Sequence, residues 1–288
     1  MIRTSVIAAT LAVLFSSAHA AQPLQLKIYN GDANSFNVNS TLAYGDKEAL
    51  VIIDAGFTRA DALRIAANVL DSGKQLKTIL VSQSDPDYYF GVETLKAIFP
   101  QADVLAPPAV LEKLSARMAG KLAFWSPKMG ANAPKMPVLP KALQGNTLTV
   151  DGEKIEIRGL QGPLAHRPYV WIPSMKAIVG NIGVFGNLHV WTADTQTVAL
   201  RSAWVAQLDE MAALKPDVVV PGHMQAGTPV DISAIGYTKT YLQTFEKNAA
   251  AAKRSADLID SMKKAFPDAP AGLALEIGAK VNKGDMSW

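Results

Sequence analysis

Cysteine is absent from the 288 residues of this chain. Thiolate metal sites, cysteine nucleophiles, disulfides and thiol redox chemistry are therefore excluded together. Histidine is nearly as scarce, with His19, His166, His189 and His223 making four in all. No segment offers the roughly 18 or more uninterrupted apolar residues that a membrane span needs. Charge of one sign is also lacking: the formal net charge is +3, too balanced for a nucleic-acid-binding surface. The densest basic run, 247–254, lies in an alanine-rich helical pattern and reads as a solvated face. There is no Gly-x-Ser-x-Gly elbow, so the serine nucleophile turn of α/β-hydrolases is missing. "GNIGVFGN" (180–187) is glycine-rich, but its spacing is not that of a dinucleotide loop.

What is present begins with an export signal. Arg3 supplies the positive start, 6–15 is an apolar run, and Ala18-His19-Ala20 is a small-x-small cleavage site. Residues 1–20 are read as a signal peptide, and the mature protein as secreted and periplasmic. Cleavage removes one base and no acid, so the +3 falls to +2 and the histidines to His166, His189 and His223.

Apolar periodicity and turn residues then divide the chain. Strands are expected at 26–29, 36–43 and 50–53, followed by a helix N-capped by Thr58 and ended by Gly73. A strand at 79–81, a short helix at 92–98 and a strand at 103–106 come next. After a helical stretch from Pro107, the Pro/Gly/Met-rich segment 124–143 is expected to be irregular, as a lid or as a surface excursion. "NTLTVDGEKIEIRGL" reads as a hairpin turning at Asp151-Gly152, with further strands at "PYVWIP" and "KAIVGN". A helix at 198–214, a strand at 218–220 and a mostly helical, Ala/Lys-rich remainder from about 232 to 266 complete the pattern. Strands alternating with helices imply a sheet covered by helices.

One turn stands out. The apolar run 78–81 feeds Ser82-Gln83-Ser84-Asp85-Pro86-Asp87, then Tyr88-Tyr89-Phe90-Gly91. α/β proteins present their chemistry at such strand ends. Taken with "VIIDAG" (51–56), "QGPLAHRP" (161–168), "AIVGN" (177–181) and "VVVPGH" (218–223), the order and spacing resemble the metallo-β-lactamase superfamily over roughly 36–227. That resemblance implies an αββα four-layer sandwich of α/β (α+β) class, spanning 21–230, with 231–288 as a helical extension packed on it. It also implies a hydrolase or a related enzyme.

The ligands resemble the family less than the scaffold does. The family motif reads Thr-His-x-His-x-Asp-His-x-x-Gly. Here Ser82 takes the threonine place, Gln83 and Asp85 stand for the first two histidines, Asp87 keeps the aspartate, and Tyr88 replaces the last histidine. Pro163 follows Gly162 where the family has histidine, and Asn181 follows Gly180 where it has the bridging aspartate. His223 survives in Pro-Gly-His. Three histidines and no cysteine cannot build a binuclear zinc site of the usual kind, because zinc favours nitrogen and sulfur donors. Glutamine is a weak neutral ligand, and a tyrosine keeps its proton to about pH 10.

What the resemblance leaves is room for one divalent ion (Mn, Fe, Mg or Zn) at Asp85, Asp87, His223 and Asn181, an oxygen-rich set that leans toward Mn or Mg. His166 and His189 read as ordinary loop residues. Asp87 would move a proton and Tyr88 would donate to an oxyanion, while Gln83, Tyr89, Trp125 and Phe185 would line a substrate wall. Each has a plain structural alternative: Asp54 as a strand-end hydrogen-bonder, Asp85 as a turn former, Asp87 as a helix cap, His223 as a satisfied buried ring. Two functions stand side by side. One is hydrolysis of an ester, lactone or amide-like substrate at an altered metal site; the other is non-catalytic capture of a small molecule in the same cleft.

Overall fold

The computed structural model describes residues 23–53, 55–270 and 272–288; the expected signal peptide, 1–20, and Asp54 lie outside them. Six strands form the first sheet in sequence order: β1 (Gln25–Asn30), β2 (Asn39–Tyr44), β3 (Glu48–Ile53), β4 (Gln75–Val81), β5 (Asp103–Ala106) and β6 (Lys141–Ala142). The first three are antiparallel, and β3 to β6 run parallel, each parallel step crossing over through helical segments. A second sheet holds β7 (Thr147–Val150), β8 (Glu153–Arg158), β9 (Tyr169–Ile172) and β10 (Ala177–Val179). A parallel edge pair, β11 (Phe185–Gly186) with β13 (His223–Met224), sits apart, while β12 (Val218–Val219) joins β10.

Three separate apolar clusters show the layering. The first joins the outer face of the first sheet to α1 (Arg59–Ser72), the short α2 (Pro86–Tyr89), α3 (Val92–Ile98) and the root of α4 (Pro108–Met129). A second lies between the sheets, where Leu80 meets Ile155, Val170, Ile172 and Val179. The third packs the far face of the second sheet against α5 (Val198–Ala213), α6 (Ser233–Ala251), α7 (Ser255–Ala265) and α8 (Leu273–Lys283). Strand β9 makes the pattern visible: Tyr169 and Trp171 enter the helix-side core, while Val170 and Ile172 enter the sheet–sheet core. That period of two fixes both faces of a doubly covered sheet. The architecture is the αββα sandwich.

Local signals act where they were read. Thr58 accepts from the Asp61 amide while Asp61 bonds back to the Thr58 amide, a reciprocal cap, and Gly73 closes α1 in the left-handed region at φ 66°. Asp151 and Gly152, both at positive φ, turn the β7–β8 hairpin. Three expectations need correction. Residues 124–129 are not irregular; they are the end of α4, which continues through Pro127 although that residue has no amide to donate to the Ala123 carbonyl. Strand β2 starts at Asn39, since Phe36 and Asn37 sit at φ 55° and cannot continue a strand. The C-terminal remainder carries a last helix of 11 residues, α8, beyond the stretch ending at 266.

Candidate functional site

Strand β4 ends at Val81, and the chain turns through Ser82, Gln83 and Ser84 into α2. Two close approaches hold that turn. A Cβ on Gly91 would lie 1.9 Å from the Ala55 carbonyl oxygen, and the Ala55 amide donates to the Tyr88 carbonyl at 3.0 Å. The opposing loop is 221–224. A Cβ on Gly222 would meet the Asn181 carbonyl oxygen at 2.1 Å and the Tyr88 hydroxyl at 2.6 Å. Glycine is needed there for space, which brings the Tyr88 ring against His223.

His223 is held on three sides. Its Nδ1 lies 3.0 Å from the Phe36 carbonyl oxygen, which can only accept, so Nδ1 carries a proton. The neutral ring then offers Nε2 as an acceptor, with the Tyr88 hydroxyl at 3.1 Å and Asp87 Oδ2 at 3.6 Å. Phe185 stacks on the imidazole at 5.1 Å, tilted by 17°. The Tyr88 hydroxyl also lies within donating distance of the Asn181 carbonyl, 3.2 Å. Asp87, Tyr88, Asn181, Phe185 and His223 are all buried, and Phe36 is partly so. Burial raises the Asp87 carboxyl to about 7 and lowers His223 to about 4. Asp85, raised to about 6 by burial and by the charges of Asp194 and Asp87, caps α2 by position but makes no side-chain cap bond.

The structure brings Asp87, Tyr88 and His223 together and sends other expected residues elsewhere. Both ends of the Asn181 amide serve the backbone: Nδ2 donates to Val220 and Oδ1 accepts from Val184, each at 2.9 Å. Asn181 thereby braces the end of β10 against the residue that follows β12. Gln83 Nε2 donates to the Pro168 carbonyl at 2.7 Å, and its Oε1 is buried with no partner among the described residues. Tyr89 is fully buried, with its hydroxyl likewise unpartnered. Trp125 packs edge-on against Phe36 and Phe57 at 5.4 and 5.2 Å. It is close to the loop that orients His223 but does not touch the ring.

Among the described residues, no three His, Asp or Glu side chains are grouped closely enough to hold a metal ion. Asp85, Asp87 and His223 do not converge as a trio, and the Tyr88 phenol faces the His223 nitrogen that would coordinate. The residues present do not fit a binuclear centre.

Sequence reasoning missed the charges around this site. Arg167, 5% exposed, stacks over Trp204 at 4.2 Å. Asp194 accepts from Trp191 Nε1 at 2.7 Å, and its carboxyl is held low against burial by that bond and by Arg167, Lys113 and Lys121. Lys113, Arg117 and Lys121 recur every four residues and so share one face of α4. That spacing was readable; its proximity to Asp85 and Asp194 was not. The site's carboxylates thus face cations supplied by the chain itself.

The sequence profile of the metallo-beta-lactamase superfamily matches residues 33–223, and the chain belongs to that superfamily. Solved structures agree in fold. A metallo-beta-lactamase family protein from Thermus thermophilus superposes with a TM-score of 0.62 at 17% identity, covering 91% of each chain. The metallo-beta-lactamase from Pontibacter korlensis gives 0.52 at 17% identity, over 78% of this chain and 97% of the other. DIM-1 metallo-beta-lactamase exposed to ceftazidime gives 0.54 at 18% identity, over 78% and 99%. No curated protein matches the chain.

Proposed function

We propose that this chain is an exported small-molecule-binding protein on a hydrolase scaffold, and that binuclear metal hydrolysis is not its chemistry. Membership of the superfamily supports hydrolase descent. One observation carries the rest: the Tyr88 hydroxyl lies 3.1 Å from His223 Nε2, on the nitrogen a metal would need. The engagement of Asn181 and Gln83 with backbone points the same way. Export rests on Arg3, the apolar run and the Ala18-His19-Ala20 site.

A second reading has its own support. Asp87, near 7 and 3.6 Å from His223, populates both protonation states at neutral pH, as an acid–base catalyst must. Hydrolysis of an ester, lactone or amide would use Asp87 for proton transfer and Tyr88 as donor to the developing oxyanion. One experiment separates the two. The mature protein is titrated with Zn, Mn, Fe and Mg while its melting temperature and its hydrolysis of ester, lactone and amide substrates are followed. Binding without turnover, with melting unmoved by every metal, is the expected result. Turnover lost in Asp87→Asn would establish the hydrolase.

A further inference from the structure

A cavity of about 460 Å³ opens beside the site, between α4 and the last residue, lined by Arg117, Gly120, Lys121, Phe124, Trp125 and Trp288. Its size suits one small organic molecule. Three features of its walls define the chemistry. Aromatic faces come from both sides: Phe124 is half exposed and meets Trp125 edge-on at 4.9 Å, while Trp288 meets Trp191 at 5.0 Å. The floor is open at Gly120, where an added Cβ would touch nothing within 4 Å. The charge is positive and incompletely met. Arg117 pairs with Asp194 at 3.4 Å, but Lys121 has no carboxylate within ion-pair distance among the described residues. Its ammonium lies 4.7 Å from the centroid of the Trp288 ring instead.

The nearby acids leave that surplus in place. Asp194 already accepts from Trp191, Trp288 and Arg117. Asp85 and Asp87 lie in the turn behind it and are shared among Lys113, Lys121 and Arg167. An ammonium over an indole face, beside a second cation and two further rings, is arranged to take a flat anion: rings against rings, and an anionic edge on the ammonium.

We propose that this cavity is the ligand site and that it takes a small aromatic carboxylate, with Lys121 binding the carboxylate and Phe124, Trp125 and Trp288 enclosing the ring. This rests on the small-molecule-binding reading given above. The test is calorimetric titration of the mature protein with 2-naphthoate, alongside its neutral amide, 2-naphthamide. Naphthoate is expected to bind and naphthamide to bind about ten-fold more weakly, the loss of one charge-assisted contact. Lys121→Gln is expected to weaken naphthoate by a similar factor while leaving naphthamide and the melting temperature unchanged. Trp288→Ala, at the cavity edge, weakens both ligands. Equal binding of the two compounds, no binding of naphthoate, or no effect of either substitution would overturn the proposal.

The two failures are distinguishable. Neutral ligands that bind elsewhere without turnover would end this inference and leave the binding reading intact. Naphthoate binding here, together with metal-dependent turnover of an ester, would do the reverse.

Discussion

Asp87 and His223 pull the pH dependence of stability in opposite directions. Burial raises Asp87 from 3.8 to about 7, so the folded state favours its protonated form. That contribution is complete below about pH 4 and is lost as the pH rises through 7. Burial lowers His223 from 6.5 to about 4, so its neutral form contributes above 6.5, and the contribution is lost as the pH falls through 4. Between pH 4 and 7 the contributions of these two groups therefore nearly cancel each other. Asp87→Asn removes one of them. Its melting temperature is expected to exceed that of the wild type by a margin that opens between pH 4 and 7 and is greatest at pH 8. A margin independent of pH would contradict the buried, protonated carboxyl.

Another residue-scale consequence concerns space. Gly222→Ala would place a methyl 2.1 Å from the Asn181 oxygen, which is backbone and cannot step aside. A loss of about 1–3 kcal/mol is expected from denaturant titration, as for other overpacked sites. This requirement was half legible: Pro-Gly-His was recognisable, but not the Asn181 carbonyl and Tyr88 hydroxyl that make the glycine necessary. Gln83 and Asn181 show why. Both were read as polar groups facing a pocket, yet their partners, Pro168 and Val220, lie in distant segments. Amides can serve backbone or ligand, and local sequence does not say which.

At the scale of elements, α1 was legible almost to the residue, because capping is a local interaction. Its cap also does non-local work. Asp61 is buried and accepts from Tyr29 at 2.6 Å, Ser35 at 2.5 Å and the Thr58 hydroxyl at 2.6 Å, tying α1 to β1 and the following turn. Thr58→Ala is expected to cost about 1 kcal/mol, the usual value of an N-cap. Asp61→Ala is expected to cost more, since it leaves the Tyr29, Ser35 and Thr58 hydroxyls and the Thr58 amide, four donors, without their shared acceptor. Chemical denaturation of the two variants gives the order; equal losses would reduce Asp61 to a simple cap. Helix α4 was less legible. Only Val110 and Leu114 of its 22 residues are buried, so its apolar pattern is weak and its far half resembles a loop.

At the scale of the molecule, the four layers were readable from strand–helix alternation and from landmark order. The internal cations were not, because Arg167, Lys113 and Asp194 meet only in the folded chain. Helices α6 to α8 belong to the core that contains Trp204 and Phe185. Thr238 of α6 accepts from the Phe185 amide at 2.9 Å, fixing β11 and thereby the ring that stacks on His223. Truncation after residue 230 is expected to abolish cooperative thermal unfolding. A truncated chain that melts sharply would show these helices to be dispensable.

The 36–39 segment adds a consequence in time. Phe36 bonds to His223 across 187 residues of sequence, and the Asn39 and Met224 amides donate to the carbonyls of Gly222 and Asn37. Contacts so distant along the chain form only after large loops have closed. The seam through the candidate site is therefore expected to close late in folding, when the two halves of the sandwich meet. Pulsed hydrogen exchange during refolding is expected to protect the Asn39 and Met224 amides after those of β4; earlier protection would contradict it.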